Sequence, residues 1–194
     1  FAVIMLWFGI SLPLVFVGAY IGYRKEAIAP PVNTTSKTKR EVPEQPWFLS
    51  TAFSVAIGGV LPFGAVFVEL FFILSSLWLD QFYYVFGFLA LVFLILIVTV
   101  AEVTVVMVYF QLLNEDYRWW WRSFLTSGSY AFWLFGYSIF YYFTALSIRS
   151  LWSSLLYFSY MFMVCHLFFV LTGSIGFGAA FLFVKKIYGS IKID

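Results

Sequence analysis

Three residues carry chemistry in a sequence that otherwise offers little: Glu69 in FVELFF, Glu102 in VAEVTV and His166 in MVCHLFF, each inside a long apolar run. Placing a charged side chain at a bilayer centre costs a few kcal/mol or more, so each must face protein or a water cavity. At about 1.5 Å per residue, counting from the turn at Asp80 and Gln81 puts Glu69 roughly 15 Å deep and Glu102 nearer 30 Å. The same count sets His166 about 12–17 Å from the near end of its own run. Glu69 and His166 can therefore share a level, while Glu102 lies apart and near the opposite boundary. A Glu–His pair suits a proton relay or a polar helix contact. A lone histidine among apolar residues is otherwise a packed, hydrogen-bonded one. The single cysteine, Cys165, excludes an internal disulfide or a cysteine zinc cluster. No Ser/His/Asp set, activated cysteine or paired-carboxylate motif stands out, so neither enzyme chemistry nor a cofactor or metal is expected.

The stretch EDYRWWWRS concentrates Tyr117, Arg118, Trp119, Trp120, Trp121 and Arg122 where an apolar run ends. Amphipathic rings favour the headgroup layer, and arginines four apart can share a helical face toward lipid phosphates. This reads as an interfacial anchor or as a docking surface for lipid or a protein partner. Gly18 and Gly22 form a GxxxG, and Gly173, Gly176 and Gly178 fall in TGSIGFGAA, spacings that let helices approach closely in lipid. The second set has no preceding strand and no GK[ST] lysine, so it is not a nucleotide loop, and no nucleic-acid partner is expected. Pro13 and Pro62 predict kinks.

The elements that must position these residues are membrane spans. The chain has 194 residues, 63% hydrophobic and only 10% charged, with mean hydropathy +0.97, whereas a soluble domain carries about 25% charged residues. Lipid is its main solvent. Five runs reach the roughly 20 residues a spanning helix needs: about 1–22, 51–79, 82–113, 126–148 and 155–184. The expected fold is an all-α polytopic bundle; a barrel would show short alternating strands instead. Residues 23–50 form a Pro-rich basic loop, with Pro30, Pro31, Pro43 and Pro46. The opening FAVIMLWFGI lacks the basic flank and cleavage site of a signal peptide and reads as the continuation of a longer protein.

Alternating spans place the 23–50 loop, the 114–125 connection and the 185–194 tail on one side. That side holds every basic residue except Arg149, a positive-inside pattern that makes it cytosolic. The sequon Asn33-Thr34-Thr35 would need the opposite placement; glycan on Asn33 would overturn this topology. The free end, SIKID, then presents Lys192 and Asp194 close to the cytosolic membrane surface, a cation and an anion at fixed spacing for a complementary pocket.

Taken together, PEQPWF, GGVLPFGAVFVELFFILSSLW, AEVTVVMVYFQLLNEDYRWWWRSFLTSGS, LTGSIGFGAAFLFVKKIY and the terminal KID resemble the transmembrane 9 superfamily, the nonaspanins or endomembrane protein 70 proteins. The resemblance covers essentially the whole chain. It implies spans five to nine of a nine-span protein, with a large lumenal domain before them. It also implies residence in Golgi and endosomal membranes and a role in sorting other membrane proteins, particularly clients with Gly-rich spans. Lys192 and Asp194 would be a coatomer-binding retention signal. No catalytic residues carry over. The competing expectation is a transporter or channel using Glu69, Glu102 and His166.

Overall fold

The computed structural model describes residues 5, 7–28, 30–32, 40–78, 82–146 and 150–190, and side chains within these except 69–78 and 82–86. The chain divides into two units, 1–33 and 34–194. In the first, a π-turn over Trp7–Ser11 leads into α1, Leu12–Tyr23. Pro13 sits in the first turn of α1, where no backbone N–H is needed.

The second unit opens with a 3₁₀ turn, Trp47–Leu49, after the extended Pro46. Ser50 then caps α2, Thr51–Trp78: its hydroxyl accepts from the Phe53 N–H at 3.4 Å. Pro62 lies inside α2 without ending it, although it cannot donate to the Gly58 carbonyl. Helix α3 is Phe82–Leu113, α4 Trp119–Gly128, α5 Tyr130–Ala145 and α6 Leu151–Ser190. Among the described residues there is no strand. Three helices are long and apolar enough to cross a membrane, α2, α3 and α6, and Trp7–Tyr23 is a shorter apolar one. The protein is a helical membrane bundle.

Two boundaries differ from the hydropathy reading. The fourth apolar segment does not begin at 126; α4 starts at Trp119 and meets α5 at Ser129, whose hydroxyl bonds the Thr126 carbonyl at 2.7 Å. Hydropathy misses the first turn because Arg122 and Ser123 lower it, yet both are buried against protein. At the other end, α6 runs to Ser190, so Lys185 and Lys186 are helical rather than part of a loose tail. Its 40 residues span about 60 Å against a core of about 30 Å. A helix satisfies its own backbone and can leave the membrane intact, with exposed lysines reaching the headgroups. The tight turn at Asp80 and Gln81, the connection at Arg149 and the sequon Asn33-Thr34-Thr35 lie outside the described residues.

The hydrophobic centre joins Val66 of α2, Val92, Leu96 and Val100 of α3, Tyr130, Ala131 and Leu134 of α5, and Cys165 of α6. Neighbouring contacts fix direction. Thr104 lies beside Gly176 and Tyr109 beside Phe183, so α3 and α6 run parallel. Tyr130 meets Phe168 and Phe135 meets Phe162, so α5 runs antiparallel to α6. The start of α2, the end of α3, the start of α4 and the Lys185–Lys186 end of α6 therefore gather at one end of the bundle.

Candidate functional site

That end is organised around a buried arginine. Helix α3 stops in a Schellman turn: the Asp116 N–H donates to the Gln111 carbonyl at 3.2 Å and the Glu115 N–H to Leu112 at 3.1 Å. Glu115 takes the left-handed position, φ 60°, that glycine usually fills. This reversal turns Asp116 inward, where its side chain is 5% exposed. Its Oδ1 accepts from the Arg118 N–H at 3.1 Å and from Arg118 Nε at 3.2 Å. Its Oδ2 accepts from Arg122 Nη1 at 3.3 Å. Arg122 Nη2 donates to Ser54 Oγ at 2.6 Å and to the Leu49 carbonyl. One guanidinium thus ties the end of α3, the start of α4 and the entry to α2, a fork geometry that lysine lacks.

The same end holds residues 40–50 against the bundle. Gln45 Nε2 donates to the Asn114 carbonyl at 3.0 Å, and Arg40 pairs with Glu115 at 2.6 Å. The Arg40 pair is exposed on both sides, worth at most about 1 kcal/mol. Beneath it, Ser54, Thr104, Gln111, Arg122, Ser123 and Thr126 surround a polar gap with no room for a water-sized sphere. Among the described residues, Gln111 Nε2 and Gln45 Oε1 are buried without a partner.

The aromatic stretch divides by face. Trp119 is buried and stacks on Phe177 of α6, centroids 5.9 Å apart and planes 17° apart. Tyr117, Trp120 and Trp121 are exposed, Trp121 at 70%. Arg118, the residue before α4, and Arg122 within it both bond the buried Asp116 carboxylate. Only Arg118 also reaches the surface, with its side chain 60% exposed.

The glycines divide too. Gly173 sits against Phe124, and Gly176 against Ser127 and Thr104, seating α4 on α6; a side chain at Gly178, Gly18 or Gly22 would meet nothing within 4 Å. Two glycines of α2 matter more than the kink at Pro62 implied. Gly58 packs on Thr126, and a Cβ at Gly59 would lie 2.6 Å from the Ser129 carbonyl carbon and 2.7 Å from the Tyr130 nitrogen. Backbone cannot step aside, so Gly59→Ala should lower stability by about 2 kcal/mol. Gly178→Ala should stay within about 0.5 kcal/mol. Thermal unfolding in detergent tests this: equal losses at both positions would contradict the packing.

Glu102 and His166 do not meet each other among the described residues. Glu102 is exposed on α3 and His166 on α6, and neither forms a hydrogen bond or ion pair among the described residues. The Glu69 side chain, and Lys192 and Asp194, lie outside the described residues. No group of three or more metal ligands occurs among the residues described. Asp116, Ser54 and Gln111 were not singled out by sequence reasoning. The D-x-R-x-x-x-R spacing around Asp116 was the available signal, since it sets two arginines on one carboxylate.

Comparison with known proteins places the chain. The sequence model of the endomembrane protein 70 family matches residues 1–151. The chain belongs to the endomembrane protein 70 family. Within it, the chain is 63% identical to transmembrane 9 superfamily member 8 and 61% to member 10, both of Arabidopsis thaliana. It is 52% identical to the human transmembrane 9 superfamily member 4. In each case the whole chain aligns with 30% of the relative, so it spans less than a third of the length of these family members. No solved structure matches. The arginine node and the glycine seams described above are thus features of the membrane-embedded part of an endomembrane protein 70 chain.

Proposed function

We propose that this chain is the membrane part of a sorting protein that governs trafficking and surface delivery of other membrane proteins, including those with Gly-rich spans, in Golgi and endosomal membranes. The observation that carries this reading is the outward placement of the described intramembrane polar residues. Glu102 and His166 lie on exposed helix faces, while the described interior is an apolar centre of Val66, Val92, Leu96, Val100, Tyr130 and Leu134, with a gap too small for water at the Arg122 end. A conduit needs polar groups around an internal path; a recognition scaffold presents them outward. The test replaces Glu69 and Glu102 together in the full-length protein. Loss of client surface delivery with unchanged ion and solute flux is the expected result. Altered flux with normal delivery would make the protein a transporter instead.

The end holding the arginine node is the cytosolic one on this reading, because Arg40, Arg118, Arg122 and the Lys185–Lys186 pair all fall on the basic side of the positive-inside count. The tail after α6 then offers Lys192 and Asp194 to coatomer as a Golgi retention signal, with no catalytic role assigned. Lys192→Ser with Asp194→Ser should shift the protein from Golgi to later compartments, scored by fluorescence overlap. Unchanged Golgi residence would show that this pair is not the sole address.

A further inference from the structure

Two cations remain uncommitted at the node end once its internal pairs are made. Arg118 gives only Nε to Asp116, at 3.2 Å, and its exposed side chain leaves Nη1 and Nη2 without a partner among the described residues. A guanidinium fixed through Nε presents its two terminal nitrogens together, the fork that suits a phosphate. Lys185 of α6 is exposed as well and forms no ion pair among the described residues. The nearby acids do not neutralise them. Asp116 is shared by both arginines, Glu115 is held by Arg40, and Glu41 and Glu44 pair with neither cation among the described residues.

The fold sets both cations on one seam. Trp119 packs on Phe177 and Phe181, and Gly128 on Phe169, so α4 runs antiparallel to α6. Arg118, just before Trp119, therefore lies toward the Lys185 end of α6. Lys185 follows Phe181 by four residues, which puts it on the α6 face that carries Trp119. Helical side chains lean toward the N-terminus of their helix, so the Lys185 stem leans back over Phe181 toward Arg118. Tyr117, Trp120 and Trp121 stand exposed around Arg118, and such rings settle among lipid headgroups. Charge decides the occupant. A partner helix laid in this seam would desolvate two unpaired cations, whereas a lipid phosphate at this depth neutralises them.

We propose that Arg118 and Lys185, at the α4–α6 seam, bind the headgroup of an anionic phospholipid. The Arg118 fork takes the phosphate, Lys185 adds a second positive contact, and Trp120 and Trp121 flank the glycerol region. The assignment to the cytosolic leaflet rests on the orientation inferred above; the site itself rests on the two cations and the exposed rings, and needs no sorting role.

The test uses the full-length protein in nanodiscs of equal parts phosphatidylserine and phosphatidylcholine, with a photo-crosslinking residue in place of Trp121. Adducts are identified by mass spectrometry. Phosphatidylserine adducts should exceed phosphatidylcholine adducts about twentyfold, each cation near the headgroups contributing roughly fivefold. The excess should shrink in high salt. Lys185→Gln, which breaks no internal bond among the described residues, should cut the excess about fivefold with thermal unfolding unchanged. Adding Arg118→Gln should bring the two lipids to parity, while Arg118→Lys should keep part of the preference. Equal capture of both lipids by the parent protein would overturn the proposal, as would an excess that survives both glutamine substitutions. Adducts confined to other segments of the same chain or to a second copy would overturn it too, since protein would then cover the seam. Selective capture of phosphatidylserine with a tail that protease protection places in the lumen would keep the site and overturn the orientation.

Discussion

Arg122→Ala is expected to destabilise the bundle by about 3–5 kcal/mol, the usual consequence of removing one partner of a buried ion pair. The loss comes mainly from what is left behind. Asp116 stays buried with only Arg118 beside it, and the Leu49 carbonyl and Ser54 hydroxyl lose their donor. Arg122→Lys should recover only part, because a single ammonium nitrogen lacks the two separated donor nitrogens with which Arg122 reaches Asp116 on one side and Leu49 and Ser54 on the other. Arg40→Ala, at the exposed pair with Glu115, should change stability by less than about 1 kcal/mol, so the buried arginine rather than the surface bridge holds residues 40–50 in place. Denaturant unfolding in detergent, followed by tryptophan fluorescence, measures all three. A cycle with Asp116→Asn decides the cause: losses that simply add would mean that Arg122 and Asp116 do not act as a pair. The pair need not make the fold more stable than an apolar substitute would; what it supplies is a fixed register among three chain segments.

Trp119→Ala is the second large effect. Burying an indole face on Phe177 and beside Phe181 fixes α4 on α6 near the charged end. Trp→Ala in a core typically costs 3–5 kcal/mol. Lipid tails can wet the uncovered surface of a membrane protein, so about 3 kcal/mol is expected here. Trp121→Ala should leave stability within about 0.5 kcal/mol, since that ring is 70% exposed and packs mainly outward. Its effect belongs to anchoring at the headgroup layer. The two substitutions are compared by thermal unfolding in one detergent. Equal losses would mean that Trp119 is only another interfacial ring.

Much of the architecture was legible because lipid leaves few choices. Continuous apolar runs must be helices, which alone satisfy their backbone inside a span. Their lengths located α2 and α3 to within a residue, whereas α6, Leu151–Ser190, extends past both ends of the expected 155–184. The start of α4 was hidden for a physical reason: hydropathy treats Arg122 and Ser123 as solvent-facing, whereas Asp116 and neighbouring backbone make their burial acceptable. Likewise TGSIGFGAA marked close packing as a possibility, but spacing alone could not tell Gly173 and Gly176, pressed on α4, from Gly178 in open space.

By itself, the sequence determined the solvent, the helical class, the family and the crowding of basic residues at one set of connections. These follow from composition, run length and linear motifs, which are local quantities. Only the tertiary structure decided which face each residue presents. It turned Arg122 and Trp119 inward, left Glu102 and His166 outward on different helices, and made Gly59 rather than Gly178 a tight contact. Facing depends on helix rotation, and rotation is set by the fit of side chains from segments distant in the chain, which no single run of residues encodes.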